Sequence, residues 1–188
     1  MNKKTLGIIL TAFVIGTMIV LTVKSNLQET EPIEEVTGLV DEQVGFLEGD
    51  TLPDFELETL SGDLVKLSDY KGQKVILNFW ASWCGPCKAE MPHMENYYKK
   101  SKEEDNVEII AVNLMGEERK GIKGIEEFVS AYGLTFPVPL DTDGLVMDTY
   151  EILAIPTTYF LNTDGTIAHK LMKPMDEKTI KSYVDSLN

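Results

Sequence analysis

Residues Val75 to Trp80 form an apolar run broken only by Asn78, and just beyond it the chain reads Trp83-Cys84-Gly85-Pro86-Cys87. Bounded by Gly72 and Gln73 before and Ser82 after, the run has the length and composition of a buried strand. A helix is predicted from about Pro86 to Ser101. Pro86 fits its first turn, where the donor that proline lacks would be unpaired anyway, and Pro92 is expected to interrupt and kink it. Val107 to Leu114 reads as a second buried strand, so the segment forms a strand-helix-strand unit with a parallel strand pair. The two cysteines therefore sit where a buried strand turns into a helix, one helical turn apart, close enough for their sulfurs to bridge.

The other elements follow the same signals. Phe55, Leu57, Leu64, Val65 and Leu67 flank the turn residues Ser61, Gly62 and Asp63 and predict a short β-hairpin at the start of the globular part, which begins near Phe46. Ile125 to Tyr132 has helical spacing and stops at Gly133, a suitable left-handed cap. A short helix is expected over Leu145 to Ile152 with Asp143 as its N-cap. Thr157 to Leu161 and Thr166 to Leu171 are strand-like and joined by Asn162, Thr163, Asp164 and Gly165, a hairpin turn. A last helix starts near Asp176 and carries Ile180, Val184 and Leu187 on one face. Parallel strands followed by an antiparallel hairpin imply an α/β fold with a mixed central sheet and helices on both faces.

The chemistry is carried by position. Cys84, at the start of the helix, faces unpaired backbone donors and the positive end of the helix dipole, and both favour thiolate over thiol. Thiolate is the form that attacks a disulfide, after which Cys87 resolves the mixed disulfide and releases the partner. Two other readings of the pair stand beside this one. A structural disulfide fits an exported protein, but a bridge closing so small a loop constrains the unfolded chain little. A zinc site needs four ligands, and His93 and His169 are the only histidines in the chain; both read as surface residues. Tyr97 and Tyr98 read as packing. The redox reading requires no cofactor other than the Cys84–Cys87 couple.

The stretch Asn78-Phe-Trp-Ala-Ser-Trp-Cys-Gly-Pro-Cys-Lys88 resembles the active site of the thioredoxin superfamily. From Phe46 to Leu187 the chain is similar to the exported TlpA/ResA-like branch, through the leading hairpin, the run from Cys84 to Pro92 and the segment Ile155-Pro-Thr-Thr-Tyr-Phe160. The resemblance implies a thioredoxin-like fold and the reduction of disulfides in exported proteins, apocytochromes c among them, with a membrane thiol carrier as electron donor. It also implies that Pro156 is cis and faces the redox pair, so that the backbone at Ile155 can pair with a bound peptide. Trp83, just before Cys84, is expected to border the partner-binding surface, with simple packing as the alternative. Asn78 stands where thioredoxin places a buried aspartate, and an amide cannot accept a proton. Glu90, three residues after Cys87 and about one turn along the helix, is expected to take over proton transfer, as its counterpart does in that branch; a solvated helical glutamate is the alternative. A peroxidase reading lacks the Thr that similar thiol peroxidases carry three residues before the reactive cysteine, a position held here by Ala81.

A dithiol can run in either direction. Gly-Pro between the cysteines is the dipeptide of thioredoxin, whose potential of about -270 mV is strongly reducing, and this favours a reductase. An exported oxidase or isomerase and a non-catalytic metal-binding or chaperone module using Cys84, Cys87 and a histidine are the rival classes.

Lys3 and Lys4 precede an uncharged, mostly apolar run from Thr5 to Val23, closed by Lys24. As a helix it would be about 28 Å long, close to the ~30 Å hydrocarbon core, and the leading lysines favour a cytoplasmic N-terminus. Residues 1–24 are thus expected to anchor the chain in the membrane with the rest on the extracytoplasmic side. A cleaved signal is the alternative, although residues 21–24 offer no convincing cleavage site. Residues 25–45, acid-rich with a lone Pro32, read as a tether, and 46–188 as the thioredoxin-like domain. All 31 acidic residues follow Lys24, and the formal net charge is -14, a balance that disfavours nucleic acid.

Overall fold

The computed structural model describes residues 15–18 and 46–188. Residues 15–18 are helical; the rest of the expected anchor and the whole of the expected 25–45 tether lie outside the described residues. Among the described residues no helix is long and apolar enough to cross a membrane.

From residue 46 onward the elements are β1 (Glu56–Glu58), β2 (Leu64–Lys66), β3 (Lys74–Trp80), α1 (Gly85–Asp105), β4 (Val107–Asn113), α2 (Gly121–Tyr132), α3 (Leu145–Thr149), β5 (Thr157–Leu161), β6 (Ile167–Leu171) and α4 (Glu177–Asp185). Four strands form one mixed sheet in the order β4-β3-β5-β6. β3 is central, parallel to β4 and antiparallel to β5, and both of its faces are covered, which is why its sequence is almost continuously apolar. β1 and β2 pair antiparallel, with Leu57 opposite Val65.

Alternation along β3 sorts two cores. Ile76 and Trp80 face the long helices and cluster with Met91, Met94 and Tyr97 of α1, Ile125 and Phe128 of α2, and Ile180 and Val184 of α4. Val75, Leu77 and Phe79 point the other way and cluster with Phe55, Val65, Val146 of α3, Tyr150 and Tyr159. Helices thus lie on both faces, but all the long ones share one, and the other is closed by short α3, Tyr150 and the β1–β2 side of the molecule.

The segment Phe136–Leu140 links the two sheets. The carbonyls of Pro137 and Pro139 accept from Ala111 N and Asn113 N on β4, while on its other side Leu60 N donates to Val138 O and Leu140 N to Glu58 O. Two prolines argue against a strand in sequence. Here the prolines contribute carbonyls, so their missing N–H groups interrupt no ladder bond.

Three local expectations need correction. Helix α1 runs unbroken through Pro92 to Asp105, where Asn106 caps it in the left-handed conformation with φ 48°. Pro92 and Lys88, whose carbonyl loses its intrahelical donor, are both exposed, so water can satisfy that carbonyl. Helix α3 ends at Thr149 rather than Ile152, and its N-cap is Gly144, not Asp143. Asp143 accepts only from Leu145 N, at 3.4 Å, and the next two donors are held by fully buried Asp141, whose carboxylate accepts from Val146 N at 3.2 Å and Met147 N at 2.8 Å. Helix α2 begins at Gly121, earlier than Ile125, and ends at Gly133 in the left-handed region, φ 61°.

Candidate active site

β3 delivers the chain to the C-terminal edge of the sheet, where Ala81 to Cys84 make a turn closed by Cys84 N donating to Ala81 O. Cys84 is the N-cap of α1, and its Sγ accepts from Cys87 N at 3.2 Å. Pro86 occupies the first helical turn, where its fixed φ suits the helix. Cys84 and Cys87 are joined in a disulfide with Cα atoms 5.3 Å apart. Cys84 is 3% exposed and Cys87 fully buried, whereas Gly85 and Pro86 between them are exposed. The outer sulfur is therefore the one nearer solvent, and it sits over the donors at the helix start.

The Ile155–Pro156 bond is cis, as the resemblance implied. It precedes β5, and the Ile155 carbonyl oxygen lies 3.7 Å from Cys84 Sγ. In the disulfide that sulfur has no proton, so this is a contact; in the dithiol the S–H can donate along the same line. Ile155 thus stands beside the redox pair, and Pro156, next in the chain, is buried at the head of β5.

Glu90 is fully buried, on the same helix as Cys87 and one turn later. The solvated-glutamate alternative is excluded. One carboxylate oxygen accepts from Asn78 Nδ2 at 3.0 Å and the other from Met175 N at 3.3 Å. Burial pushes its pKa up to about 7, and these two donors hold it back from rising further. Asn78 also donates to Thr158 Oγ1 at 2.9 Å. Its own Oδ1 is buried with no hydrogen-bond partner among the described residues.

Sequence reasoning treated Asn78 only as a residue unable to accept a proton. It missed that the amide holds the carboxylate on α1, and it missed Thr158 and Met175 altogether. The one available signal was a lone amide inside an apolar strand, which must find a buried partner.

Trp80 is core, its ring 4.5 Å from that of Phe128 and its Nε1 donating to Ala111 O. Trp83 is 37% exposed. Its Nε1 donates to Glu117 O at 2.8 Å and the Arg119 guanidinium lies 4.6 Å over its ring. His169 bonds Glu48 and Ser186 and packs on Tyr183, which is a structural setting. Tyr97 and Tyr98 are buried but more than packing: their hydroxyls donate to Asp105 and Glu108.

The arrangement can exchange a disulfide at an outer sulfur, resolve with an inner one, and offer a buried carboxyl that changes protonation near neutrality. A model of the AhpC/TSA family matches residues 49–170. The chain is 40% identical over 156 residues to thiol-disulfide oxidoreductase ResA of Oceanobacillus iheyensis, covering 81% of this chain and 79% of that one. It is 43% identical over 138 residues to ResA of Bacillus subtilis, covering 73% and 74%. The crystal structure of StoA from Bacillus subtilis superposes with a TM-score of 0.62 at 37% identity, covering 70% of this chain and 96% of that one.

Proposed function

The chain belongs to the AhpC/TSA family and is a thiol-disulfide oxidoreductase with a thioredoxin-like fold, and from that premise we propose that it works on the extracytoplasmic side of a membrane as a reductase of disulfides in exported proteins. The observation that carries this reading is the pairing of a helix-capping Cys84 with a buried carboxyl one turn beyond Cys87.

In the reaction, the Cys84 thiolate attacks one sulfur of a client disulfide. A Cys84–client bond forms, the client disulfide breaks, and the first client sulfur leaves as thiolate. Glu90 then takes the proton from Cys87, directly or through a water. A carboxyl with a pKa near 7 matches that task at neutral pH better than an ordinary glutamate does. The Cys87 thiolate attacks Cys84 Sγ, forming the Cys84–Cys87 disulfide and releasing the second client thiolate. Two electrons have passed to the client. Two more, from a membrane thiol carrier, restore the dithiol, and anchorage through residues 5–23 would keep the domain beside that carrier.

Ile155, whose carbonyl lies beside the outer sulfur, Pro156, which follows it in the chain, and half-exposed Trp83, which precedes Cys84, are the proposed contacts for the client backbone. Apocytochrome c is one client class consistent with this scheme.

Two experiments test it. With Cys87→Ala, clients should accumulate as mixed disulfides on Cys84, and their identities show whether they are exported proteins. Trapping the thiols in intact cells fixes direction: a reductase rests mainly as dithiol, whereas a mainly disulfide resting state would make the protein an oxidase and overturn the proposal.

A further inference from the structure

The loop after β4 touches the turn that carries Cys84, in a way the reaction scheme does not use. The Glu118 carboxylate is its centre. Oε1 accepts from Ser82 N at 2.5 Å and from Asn113 Nδ2 at 2.8 Å, while Oε2 accepts from Ser82 Oγ at 2.5 Å. On either side of Glu118, the Glu117 carbonyl takes the Trp83 indole N–H and Arg119 covers the Trp83 ring. Three consecutive loop residues therefore hold the two residues immediately before Cys84.

A second contact fits the same design. A Cβ placed on Gly124 of α2 would lie 2.9 Å from Lys120 Cβ and 3.2 Å from Ser82 Oγ, so α2 approaches Ser82 closely enough that a side chain there would press on its hydroxyl.

We propose that Glu118 is a positioning residue that fixes the Ser82–Trp83 turn and thereby keeps the Cys84 sulfur over the N-terminus of α1. This rests on Cys84 being the attacking thiol. The turn is held otherwise at Cys84 itself, whose N donates to Ala81 O and whose carbonyl and sulfur accept from Lys88 N and Cys87 N of α1, so the Glu118 side holds Ser82 and Trp83. Without the carboxylate, Ser82 N and Asn113 Nδ2 lose their acceptor, and the sulfur is free to leave the helix donors that favour its thiolate.

The chemistry of the contact distinguishes geometry from charge. A glutamine at 118 can keep its carbonyl on Ser82 N and Asn113 Nδ2 and donate its amide to Ser82 Oγ, because a hydroxyl accepts as readily as it donates. Glu118→Gln therefore preserves the clamp and removes the charge, and Glu118→Ala removes both.

The test measures, on the full chain, kcat/KM for reduction of a model protein disulfide and the pH profile of Cys84 alkylation in the Cys87→Ala background. Glu118→Ala should lower both kcat/KM and the Cys84 alkylation rate at pH 7 about tenfold, with the alkylation profile moved to higher pH, and Glu118→Gln should stay within about threefold of the parent. Equal losses in the two variants would assign the effect to charge and overturn the proposal, as would no loss in either. Should Glu118→Ala fail to fold, Ser82→Ala removes one arm of the clamp alone. It should slow alkylation about threefold, and an unchanged profile would be a refutation. Cys84→Ser separates the two levels: activity surviving it would defeat the reading of the pair itself, whereas its loss beside an unaffected Glu118→Ala defeats only the clamp.

Discussion

Replacing Glu90 by Gln should make the protein more stable at alkaline pH than at acid pH relative to the parent, and the size of the effect follows from the site. In the unfolded chain this carboxyl titrates near 4.5, and in the folded protein burial raises it to about 7. Between those values the native state holds a proton that the unfolded state has lost. Stability from this group is therefore fully present below about pH 4.5 and lost as pH rises through about 7. A shift of this size amounts to about 3 kcal/mol in all, of which about 2.5 kcal/mol is lost between pH 5 and pH 8. The amide of the Glu90→Gln variant cannot titrate. Near pH 5 the parent's native carboxyl is mostly neutral, and the amide can use the unpaired Asn78 Oδ1 and still accept from Met175 N, so there the two proteins should differ by about 1 kcal/mol or less. By pH 8 the variant should have gained about 2.5 kcal/mol relative to the parent. Urea unfolding followed by tryptophan fluorescence, with the disulfide intact in both proteins, gives the difference at each pH. A difference that stays flat from pH 5 to pH 8 would refute the placement of an uncompensated carboxyl at this site.

Other outcomes follow from particular contacts. The same Glu90→Gln variant should lose the step in Cys87 reactivity near pH 7 while still forming mixed disulfides through Cys84, as read by stopped-flow alkylation and client trapping. Asp141→Ala strips two first-turn N–H groups of α3 of their acceptor and should cost about 1–2 kcal/mol in urea unfolding. Gly133→Ala puts a side chain at φ 61° in the cap of α2 and should cost about 1 kcal/mol; an unchanged midpoint would mean the cap relaxes.

The redox turn was legible because its signals are local. A buried strand, a Cys-Gly-Pro-Cys run and a proline that tolerates a first helical turn lie within fourteen residues of one another, and each agrees with the next. The central strand, its parallel partner and the late hairpin were readable for the same reason. The environment of Glu90 was not. Its partners Asn78 and Met175 lie 12 and 85 residues away along the chain, and nothing in a glutamate on a helix reveals that its face is dry. The linking segment Phe136–Leu140 was hidden by prolines whose carbonyls carry the pairing to β4. Asp143 looked like a cap by spacing, but it reaches only Leu145 N, at 3.4 Å, and a buried carboxylate two residues earlier, at Asp141, takes the next two amides, Val146 N and Met147 N, at shorter distances.

The proposed chemistry rests on the acidity and reach of one sulfur. Reduce the protein, titrate it with a small alkylating reagent across pH 5 to 10, and identify the modified residue by peptide mass. Cys84 should react first, with an apparent pKa below the ordinary thiol value of about 8.5. A folded, reduced protein in which neither cysteine is modified, or in which Cys87 reacts ahead of Cys84, would contradict it.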